Sequence, residues 1–319
     1  MIRIAVLSNT HSYRNRSGLE RIDRLLAGAS DVLHVRIDDM ATLAEALRAV
    51  AQSRAEILAI NSGDGTIMAV LSEMLIHPVF ASHPSLVLLR GGRTNMTAAD
   101  VGPAGSNTAA LSRLLRLRAE GRLDRTLIHR PMLWVENVRD RPPLCGAFFG
   151  DAGIVQAITL CQNRAHALGM SAGLASAWTL VNAIVERLVR RSKSPLFAGT
   201  DMRINVDGAP LAASCWVTAI ASTLDRLVLG SRPFWNVGNA PIRFTAIAAP
   251  APGLVGAAAR LLYGGENRGL PAETYVSRGA HNLTFETAGP FTLDGEIFEP
   301  EPHKLLQVSA TPPLAFLKF

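Results

Sequence analysis

Two glycines flank an acidic residue in Ser62-Gly63-Asp64-Gly65-Thr66, which follows a short apolar run at residues 56–60. The run predicts a buried strand, and glycines at its end let backbone N–H groups approach a polyphosphate closely. The N-terminus of a following helix favours the same negative charge. Thr66 can donate a hydroxyl hydrogen bond to phosphate, whereas the negative Asp64 is expected to hold Mg²⁺ or to orient the turn.

A second glycine-rich turn, at residues 91–98, follows another apolar run at residues 86–89. Its Arg93 offers a forked cation for phosphate, and its Thr94 and Asn95 offer neutral hydrogen bonds. Taken alone, this turn is equally typical of an ordinary strand-to-helix connection. Together with the first turn, it predicts the opposite side of one ligand-binding crevice.

Two further carboxylates lie far along the chain, in Leu293-Asp294-Gly295-Glu296, where they flank a glycine at a predicted turn. Acidic turns are common on protein surfaces, so this pattern alone favours a surface turn. The alternative is a pair of catalytic carboxylates, because a carboxylate within hydrogen-bond reach of a hydroxyl can accept its proton.

Strand and helix patterns alternate through the first third of the chain. Apolar runs of strand length occur at residues 2–7, 32–37, 56–60 and 86–89. Amphipathic helical patterns lie between them, at residues 19–26, 41–52 and 67–75. The alternation predicts a parallel sheet covered on both faces, with ligands bound at the carboxyl ends of its strands.

The pattern changes after an arginine-rich helix predicted at residues 113–122. Short strand patterns then dominate, at residues 132–135, 203–206, 215–218, 243–247 and 282–285. Helical patterns interrupt them at residues 166–190 and 254–262. Asp207-Gly208, between the strand patterns at residues 203–206 and 215–218, is typical of a hairpin turn. These features predict a second domain, built on antiparallel sheet, that begins near residue 126.

The composition describes a folded protein with a basic surface. Of 319 residues, 48% are hydrophobic and 18% are charged, which excludes a disordered chain. The net charge of +6 suits anionic partners such as nucleotides or lipid headgroups, and nucleic acid is set aside because no aromatic residues interleave the basic ones. The 3 cysteines form no CxxC pair, which indicates reduced thiols, a cytoplasmic setting and no structural zinc.

Two segments bear on membrane contact. Residues 167–185 carry no formal charge, but their many polar side chains favour a buried or groove-lining helix over a membrane span. A basic series is most simply a solvated helix face, and attraction to an anionic membrane is the alternative. The series comprises Arg113, Arg116, Arg118, Arg122 and Arg125.

The order of the three motifs resembles that of the diacylglycerol kinase catalytic-domain family, which includes bacterial diacylglycerol and phosphatidylglycerol kinases and the sphingosine and ceramide kinases. The motifs are Ser62 to Thr66, the turn with Thr94 and Asn95, and Asp294-Gly295-Glu296. The resemblance runs from the first strand and Asn9 to a closing strand at residues 314–317. The first motif alone is also similar to NAD kinases and phosphofructokinases.

The resemblance implies a fold and a reaction. The fold is an NAD kinase-like parallel α/β domain at residues 1–125, to which residues 311–319 return, and a mainly antiparallel β-sandwich at residues 126–310. ATP and Mg²⁺ are the expected cofactors, with Asp64 as metal ligand. The expected cofactor-binding residues are Asn9, Gly63, Asp64, Gly65, Thr66, Arg93, Thr94 and Asn95. Asp294 and Glu296 are expected to take the proton from a lipid hydroxyl, with Glu296 favoured as the base.

Four departures from the family's pattern leave alternatives open: Asp38, Ser62, Met68-Ala69 and Met96. The expected activity is phosphorylation of a diacylglycerol-like or sphingoid lipid by a cytoplasmic protein in peripheral contact with anionic membrane. One alternative is a catalytically decayed lipid-binding or regulatory protein, and another is a kinase of a soluble substrate such as NAD. The sequence leaves a homo-oligomer open.

Overall fold

A computed structural model describes residues 2–156 and 199–319 and divides them between two compact units. The first unit runs to Pro131 and includes Pro312–Phe319, and the second spans Met132–Thr311. The helix predicted at residues 166–190, with its uncharged segment 167–185, lies outside the described residues. Within the described residues, no helix combines the length and the apolar character needed to cross a membrane.

The first unit is a six-stranded sheet with helices between its strands. Its strands are β1 (Ile4–Asn9), β2 (Val32–Ile37), β3 (Ile57–Ser62), β4 (Ser85–Arg90) and β5 (Leu127–Arg130), joined by the chain's last strand, β19 (Leu314–Leu317). Its helices are α1 (Asn15–Ala27), α2 (Leu43–Gln52), α3 (Asp64–Ile76), α4 (Met96–Val101) and α5 (Asn107–Ala119). The strand order is β2-β1-β3-β4-β19-β5, and every neighbouring pair is parallel except β19 with β5.

Both faces of this sheet are buried. On one face, Val6 of β1 packs with Ile22 of α1 and Leu114 of α5 in a single apolar cluster. Ala5 and Leu7 alternate with Val6 and are equally buried, so they point to the opposite face. Burial on both faces explains why the parallel strands read as continuous apolar runs in the sequence.

Several element boundaries differ from the sequence prediction, and three of them bear on the candidate site. Helix α3 begins at Asp64 instead of residue 67, and β3 continues to Ser62. The segment Ser62 to Thr66 is therefore a strand end, one linking glycine and the first turn of a helix. Helix α5 begins at Asn107, ahead of the predicted residue 113, because the Ser106 hydroxyl accepts a hydrogen bond from Ala109 N–H and caps it.

The second unit contains two antiparallel sheets. One has the strand order β11-β10-β15-β18-β6-β7, built from β6 (Leu133–Glu136), β7 (Leu144–Gly146), β10 (Arg203–Val206), β11 (Ala209–Pro210), β15 (Asn282–Glu286) and β18 (Leu306–Ala310). The other has the order β14-β13-β12-β8-β16-β17, built from β8 (Phe148–Ala152), β12 (Cys215–Ser222), β13 (Ile242–Ala248), β14 (Tyr275–Ala280), β16 (Phe291–Leu293) and β17 (Glu296–Phe298), with β9 (Thr200–Asp201) beside β12. One helix, α6 (Leu254–Tyr263), follows β13.

Aromatic rings join the two sheets into a sandwich. Phe149 of β8 and Phe285 of β15 belong to different sheets, and their ring centroids lie 4.9 Å apart. Phe244 of β13 approaches the same Phe285 ring at 6.5 Å. The predicted fold class, a parallel α/β domain followed by a mainly antiparallel β domain, is confirmed.

The hairpin predicted at Asp207-Gly208 forms, and both residues are left-handed, with φ of 51° and 82°. It closes β10 onto the two-residue strand β11. The strand pattern at residues 215–218 belongs instead to β12 in the other sheet. The prediction that it pairs with residues 203–206 across this hairpin is therefore wrong. Local turn chemistry predicted the reversal, but the short β11 carries no periodic pattern.

Candidate functional site

The two glycine-rich turns of the first unit touch through their backbones. A Cβ added to Gly92 would lie 2.5 Å from Gly63 Cα, and one added to Gly91 would lie 2.7 Å from Ser62 Cα. Gly91 N–H also donates a hydrogen bond to Ser62 O at 2.9 Å. No side chain fits at such distances, so the glycines let the carboxyl ends of β3 and β4 close into one surface.

The Asp64 carboxylate fastens the second turn to the first. It accepts hydrogen bonds from the backbone N–H groups of Met96 (3.1 Å) and Thr97 (3.2 Å), the first residues of α4. Burial raises the pKa of Asp64, and the N–H donors of Met96, Thr97 and Asn95 partly oppose that rise. The contacts support the turn-orienting role that the sequence left open, and the metal-ligand role stays a prediction.

Asn95 is used within its own turn. It adopts a left-handed conformation (φ 51°), its Oδ1 accepts from Gly92 N–H at 2.7 Å, and its Nδ2 donates to Gly92 O at 2.8 Å. Arg93 and Thr94 are exposed at the tip, where the Arg93 guanidinium lies 5.0 Å from the centre of the Tyr13 ring. Of the three residues expected to bind the nucleotide here, Asn95 shapes the turn and the other two face solvent.

The loop after β1 is joined to the start of α3. Asn9 Nδ2 donates to Thr66 Oγ1 at 2.9 Å, and the Ser12 and Ser62 hydroxyls lie 2.9 Å apart. Arg14 N–H donates to Gly91 O at 2.9 Å, which adds the second turn to the same assembly. The predicted residues Asn9, Gly63, Asp64 and Thr66 are thus brought together with the turn that carries Arg93.

Below these turns lies a buried polar network that the sequence reasoning missed. Asn15 Nδ2 donates to Asn9 O (2.7 Å) and Asn61 O (2.8 Å), while Asn61 Nδ2 donates to the Ser8 hydroxyl (3.1 Å). Asn107 Nδ2 donates to Asn61 Oδ1 at 2.9 Å. The available signal was the polar residue Asn61 directly after the apolar run at residues 56–60, since an amide buried at a strand end needs partners.

Ser8, His34 and Asp23 form a chain that resembles a catalytic triad in residue types. His34 Nε2 lies 3.0 Å from Ser8 Oγ, and His34 Nδ1 lies 3.4 Å from Asp23 Oδ1. Ser8 is fully buried within β1, however, so no substrate carbonyl can reach its hydroxyl. Burial lowers the pKa of His34, which suits a neutral hydrogen-bonding link within the sheet.

The N-termini of α3 and α4, at the carboxyl edge of the sheet, differ in whether their first N–H groups are capped by a side chain. Asp64 occupies the amides at the start of α4, whereas α3 begins after Gly63 without a side-chain cap. The first N–H groups of a helix have no partner within the helix and carry its positive dipole end. Of these two helix starts, that of α3, with Gly65 and Thr66, is therefore the one that suits a phosphate group.

A metal ion would rely mainly on the nucleotide. Among the described residues, no three His, Cys, Asp or Glu side chains cluster in a way that could hold a metal. Mg²⁺ commonly keeps several waters and binds substrate phosphates with one or two carboxylates, so the residues present fit a nucleotide-borne ion better than a protein cage.

In the second unit, the two carboxylates of the Asp-Gly-Glu turn have different surroundings. Asp294 and Gly295 form the tight turn between β16 and β17, with φ of 51° and 91°. The Asp294 carboxylate accepts from Phe148 N–H at 2.9 Å and from Ala147 N–H at 3.1 Å, which fixes the turn against β8. Glu296 is exposed, and within the described ranges no side chain or backbone group holds its carboxylate.

Asp151 of β8 is a buried ionisable residue that the sequence reasoning missed. It lies opposite Phe291 in the ladder, and the Phe291 ring stacks on Phe149 at 5.5 Å, so its carboxyl shares the apolar face of the sheet. Burial raises the pKa of Asp151 to about 7, and the hydrogen bond from Ala152 N–H (2.6 Å) opposes this only in part. Oδ2 has no hydrogen-bond partner among the described residues.

A family model matches the part of the chain that contains the two glycine-rich turns. Residues 3–124 match the family model of the diacylglycerol kinase catalytic domain. The resemblance expected from the motifs is thereby confirmed for this part of the chain. Residues 132–311 lie outside the match. No curated protein sequence matches the chain.

Solved structures of similar fold come from Bacillus anthracis str. Sterne. One described as a diacylglycerol kinase is 14% identical, with a TM-score of 0.63, and the alignment covers 99% of this chain and 96% of that one. Another, provisionally assigned as a diacylglycerol kinase, is 13% identical with a TM-score of 0.69 over 99% and 96% of the two chains. At such identity the likeness shows the fold, and it extends through both units.

Replacing Asp64 tests its structural role in the diacylglycerol kinase-like segment. We expect Asp64→Ala to lower the free energy of unfolding by about 1–3 kcal/mol, because two buried N–H groups of α4 lose their acceptor. Asp64→Asn keeps one acceptor oxygen, so its free energy of unfolding should lie between those of the parent protein and Asp64→Ala. Denaturant unfolding followed by circular dichroism measures this, with the exposed Asp124→Ala as control. Equal stability of Asp64→Ala and the control would exclude the capping role.

Asp151 predicts a pH dependence of stability in the second unit. Its folded pKa of about 7 exceeds the ordinary 3.8, so folding takes up a proton between these values and stability falls as pH rises through that window. The slope is about 1.4 kcal/mol per pH unit where the folded state alone is protonated. We expect Asp151→Asn to lack this fall and to gain stability relative to the parent from pH 4 to 7.

Intrinsic fluorescence measures this, because all 4 tryptophans lie in the sequence range of the second unit: Trp134, Trp178, Trp216 and Trp235. The exposed Asp140→Asn is the matched control and should follow the parent curve. Parallel curves for the parent and Asp151→Asn would show that this carboxyl stays ionised in the folded protein.

Proposed function

We propose that this protein is an ATP-dependent lipid kinase that acts at a membrane surface in the cytoplasm. Its acceptor would be the hydroxyl of a diacylglycerol-like or sphingoid lipid. The observation that carries the proposal is the contact between Gly63 and Gly92, within residues that match the diacylglycerol kinase catalytic domain. That contact leaves an uncapped helix start beside exposed cationic and hydroxyl side chains.

The nucleotide would bind at the carboxyl edge of the parallel sheet. The amides at the start of α3 and the Thr66 hydroxyl would donate hydrogen bonds to the phosphates, and Asn9 would orient Thr66 by donating its 2.9 Å hydrogen bond to Thr66 Oγ1. Arg93 lies on the exposed tip of the second turn, where its guanidinium can approach negative charge. Bound Mg²⁺ would neutralise part of the charge on the transferred phosphate.

In the proposed reaction, the lipid hydroxyl oxygen forms a bond to the γ-phosphorus while the bond from that phosphorus to the β,γ-bridging oxygen breaks. ADP leaves, and the hydroxyl proton passes to a carboxylate. Glu296 suits the base better than Asp294, because its carboxylate is exposed while that of Asp294 accepts backbone N–H bonds.

One observation favours a second candidate, a lipid-binding protein without kinase activity. Met68 and Met96, which depart from the family's pattern, are buried apolar side chains. Neither can bind a metal-bound water or a ribose hydroxyl as a carboxylate or amide would. A kinase of a soluble substrate gains no such support, since the apolar sandwich suits a lipid better.

Labelled phosphate distinguishes these functions. We expect purified protein with γ-labelled ATP, Mg²⁺ and a panel of diacylglycerols and sphingoid bases to transfer label to the organic phase, and excess EDTA to abolish the transfer. Label confined to aqueous small molecules such as NAD would assign a soluble acceptor. Lipid binding without any label transfer would assign the second candidate.

The two carboxylates of the Asp-Gly-Glu turn should respond differently to neutralisation. Glu296→Gln is expected to reduce turnover roughly 10²- to 10⁴-fold with unchanged ATP affinity and stability, because it removes only a base. Asp294→Asn should lower the unfolding free energy by about 1–2 kcal/mol, because its carboxylate fixes the turn to β8. The exposed Glu273→Gln is the control. Full turnover in Glu296→Gln would remove this residue from the mechanism.

A further inference from the structure

Helix α6 presents apolar side chains on two opposite faces. Its inner face, through Ala257, packs with Ile247 and Tyr275 on the outer side of the second sheet, away from the Phe244 side chain. Its outer face carries Val255 and Tyr263, which are 36% and 57% exposed. These two positions are eight residues apart and share one side of the helix. A surface helix ordinarily directs polar residues outward, so this face suits contact with another apolar phase.

A neighbouring turn holds a second exposed apolar residue in an unfavourable conformation. Leu229, which is 47% exposed, is left-handed with φ of 58°. Such a conformation costs a leucine roughly 1–2 kcal/mol, and its exposure leaves packing little to offset that cost. Hydrogen bonds from Leu227 N–H to Ser231 O (2.9 Å) and from Gly230 N–H to Leu227 O (3.0 Å) maintain the turn.

Hydrogen bonds join this turn to the end of α6. Arg232 N–H donates to Leu262 O at 2.7 Å. The guanidinium of the buried Arg268 also links the turn to the helix, because it donates to Arg232 O at 2.6 Å and to Arg260 O at 3.0 Å. The turn that carries Leu229 is therefore fixed to the end of α6 that carries Tyr263. We call the exposed residues of the turn and the helix the α6 surface: Leu229, Val255 and Tyr263 with Arg226, Arg232 and Arg260.

The charges of the α6 surface are predominantly positive. Arg226, Arg232 and Arg260 are all exposed, and the sequence of α6 contains no acidic residue. Nearby, the Asp225 carboxylate is paired with Arg243, and Glu266 accepts a hydrogen bond from Asn236 N–H at 2.8 Å. Exposed apolar residues surrounded by arginines match the interface of an anionic bilayer, where apolar groups enter the acyl boundary and arginines meet headgroups.

We propose that the α6 surface docks this protein on anionic membranes. This extends the proposed lipid kinase function by specifying the surface that meets the bilayer, although binding itself requires no catalysis. The basic series on and after α5 is less suited to the role. Arg118 pairs with Asp31 at 2.8 Å, Arg122 pairs with Glu120 at 2.9 Å, and Arg113 lies over the Phe319 ring.

Vesicle sedimentation of the full chain tests the proposal. The probes are phosphatidylcholine vesicles with and without phosphatidylglycerol, at rising salt. We expect binding only with phosphatidylglycerol, weakened by salt. Leu229→Asn combined with Tyr263→Ser should weaken it roughly tenfold or more, since two apolar side chains no longer enter the interface. Asparagine tolerates the left-handed conformation, so this variant should remain folded.

Matched variants separate the α6 surface from general exposure and charge. Leu127→Ser with Leu305→Ser removes apolar residues that are 37% and 42% exposed elsewhere, and binding should not change. Arg226→Gln with Arg232→Gln should weaken binding roughly tenfold or more, at about fivefold per arginine near an anionic surface. Arg113→Gln with Arg116→Gln should leave it unchanged.

Several outcomes would overturn the proposal: no binding by the parent, parental binding by the α6-surface variants, or loss of binding in the α5 pair alone. A parental dimer that Leu229→Asn with Tyr263→Ser dissociates in light scattering would assign the surface to a second copy instead. Kinase activity is measured separately on a short-chain acceptor in detergent. Absent activity with variant-sensitive vesicle binding would refute the kinase and leave the docking surface standing.

Discussion

The close contact between Ser62-Gly63 and Gly91-Gly92 sets the geometry of the candidate nucleotide site. Backbones this near each other exclude any side chain at Gly92, where a Cβ would lie 2.5 Å from Gly63 Cα. The contact brings the amides of α4 within reach of Asp64, whose buried charge is stabilised by those donors. The first N–H groups of α3 have no side-chain cap, whereas those of α4 donate to Asp64. Two similar turns thus lead to one helix N-terminus that can bind a ligand and one that is already capped.

Short and long polar side chains have different roles in the turns of each unit. Asp64, Asn95 and Asp294 reach adjacent backbone N–H groups and hold turns in place. Arg93 and Glu296 extend into solvent. A short carboxylate or amide reaches backbone N–H groups in its own turn, as Asn95 does, or in a segment packed directly against that turn, as Asp64 and Asp294 do. A long side chain can extend beyond the turn that carries it. Rigid turns that present exposed charged groups suit phosphoryl transfer, which depends on positioning and electrostatics.

The second unit reverses the ordinary placement of polar and apolar groups at two points. Asp151 carries a carboxyl group into an apolar sheet face, and the α6 surface carries apolar side chains into solvent. Each placement costs free energy in a protein surrounded only by water. The exposed helix suits the proposed docking, because a bilayer can cover its apolar side chains. The buried carboxyl instead makes the stability of the unit depend on pH.

The sequence alone determined the class of fold and the position of the two turns. Period-2 and period-3.6 patterns are local properties, so the alternation of strands and helices in the first unit followed from them, as did the left-handed Asp207-Gly208 turn. Helix starts were less well predicted. Helix α3 begins at Asp64, whereas the prediction began at residue 67, because Asp64, Gly65 and Thr66 carry no apolar periodicity. The same limit hid β11, which has two residues.

Only the tertiary structure decided what each polar residue does. Asp64 and Met96 are far apart in sequence, as are Asp294 and Phe148, so no local pattern indicates their hydrogen bonds. The pKa of Asp151 near 7 depends on burial beside Phe291 and Ala219, which two strand ladders bring together. Burial and long-range hydrogen bonding arise from how elements pack, whereas residue type and spacing determine only which elements form.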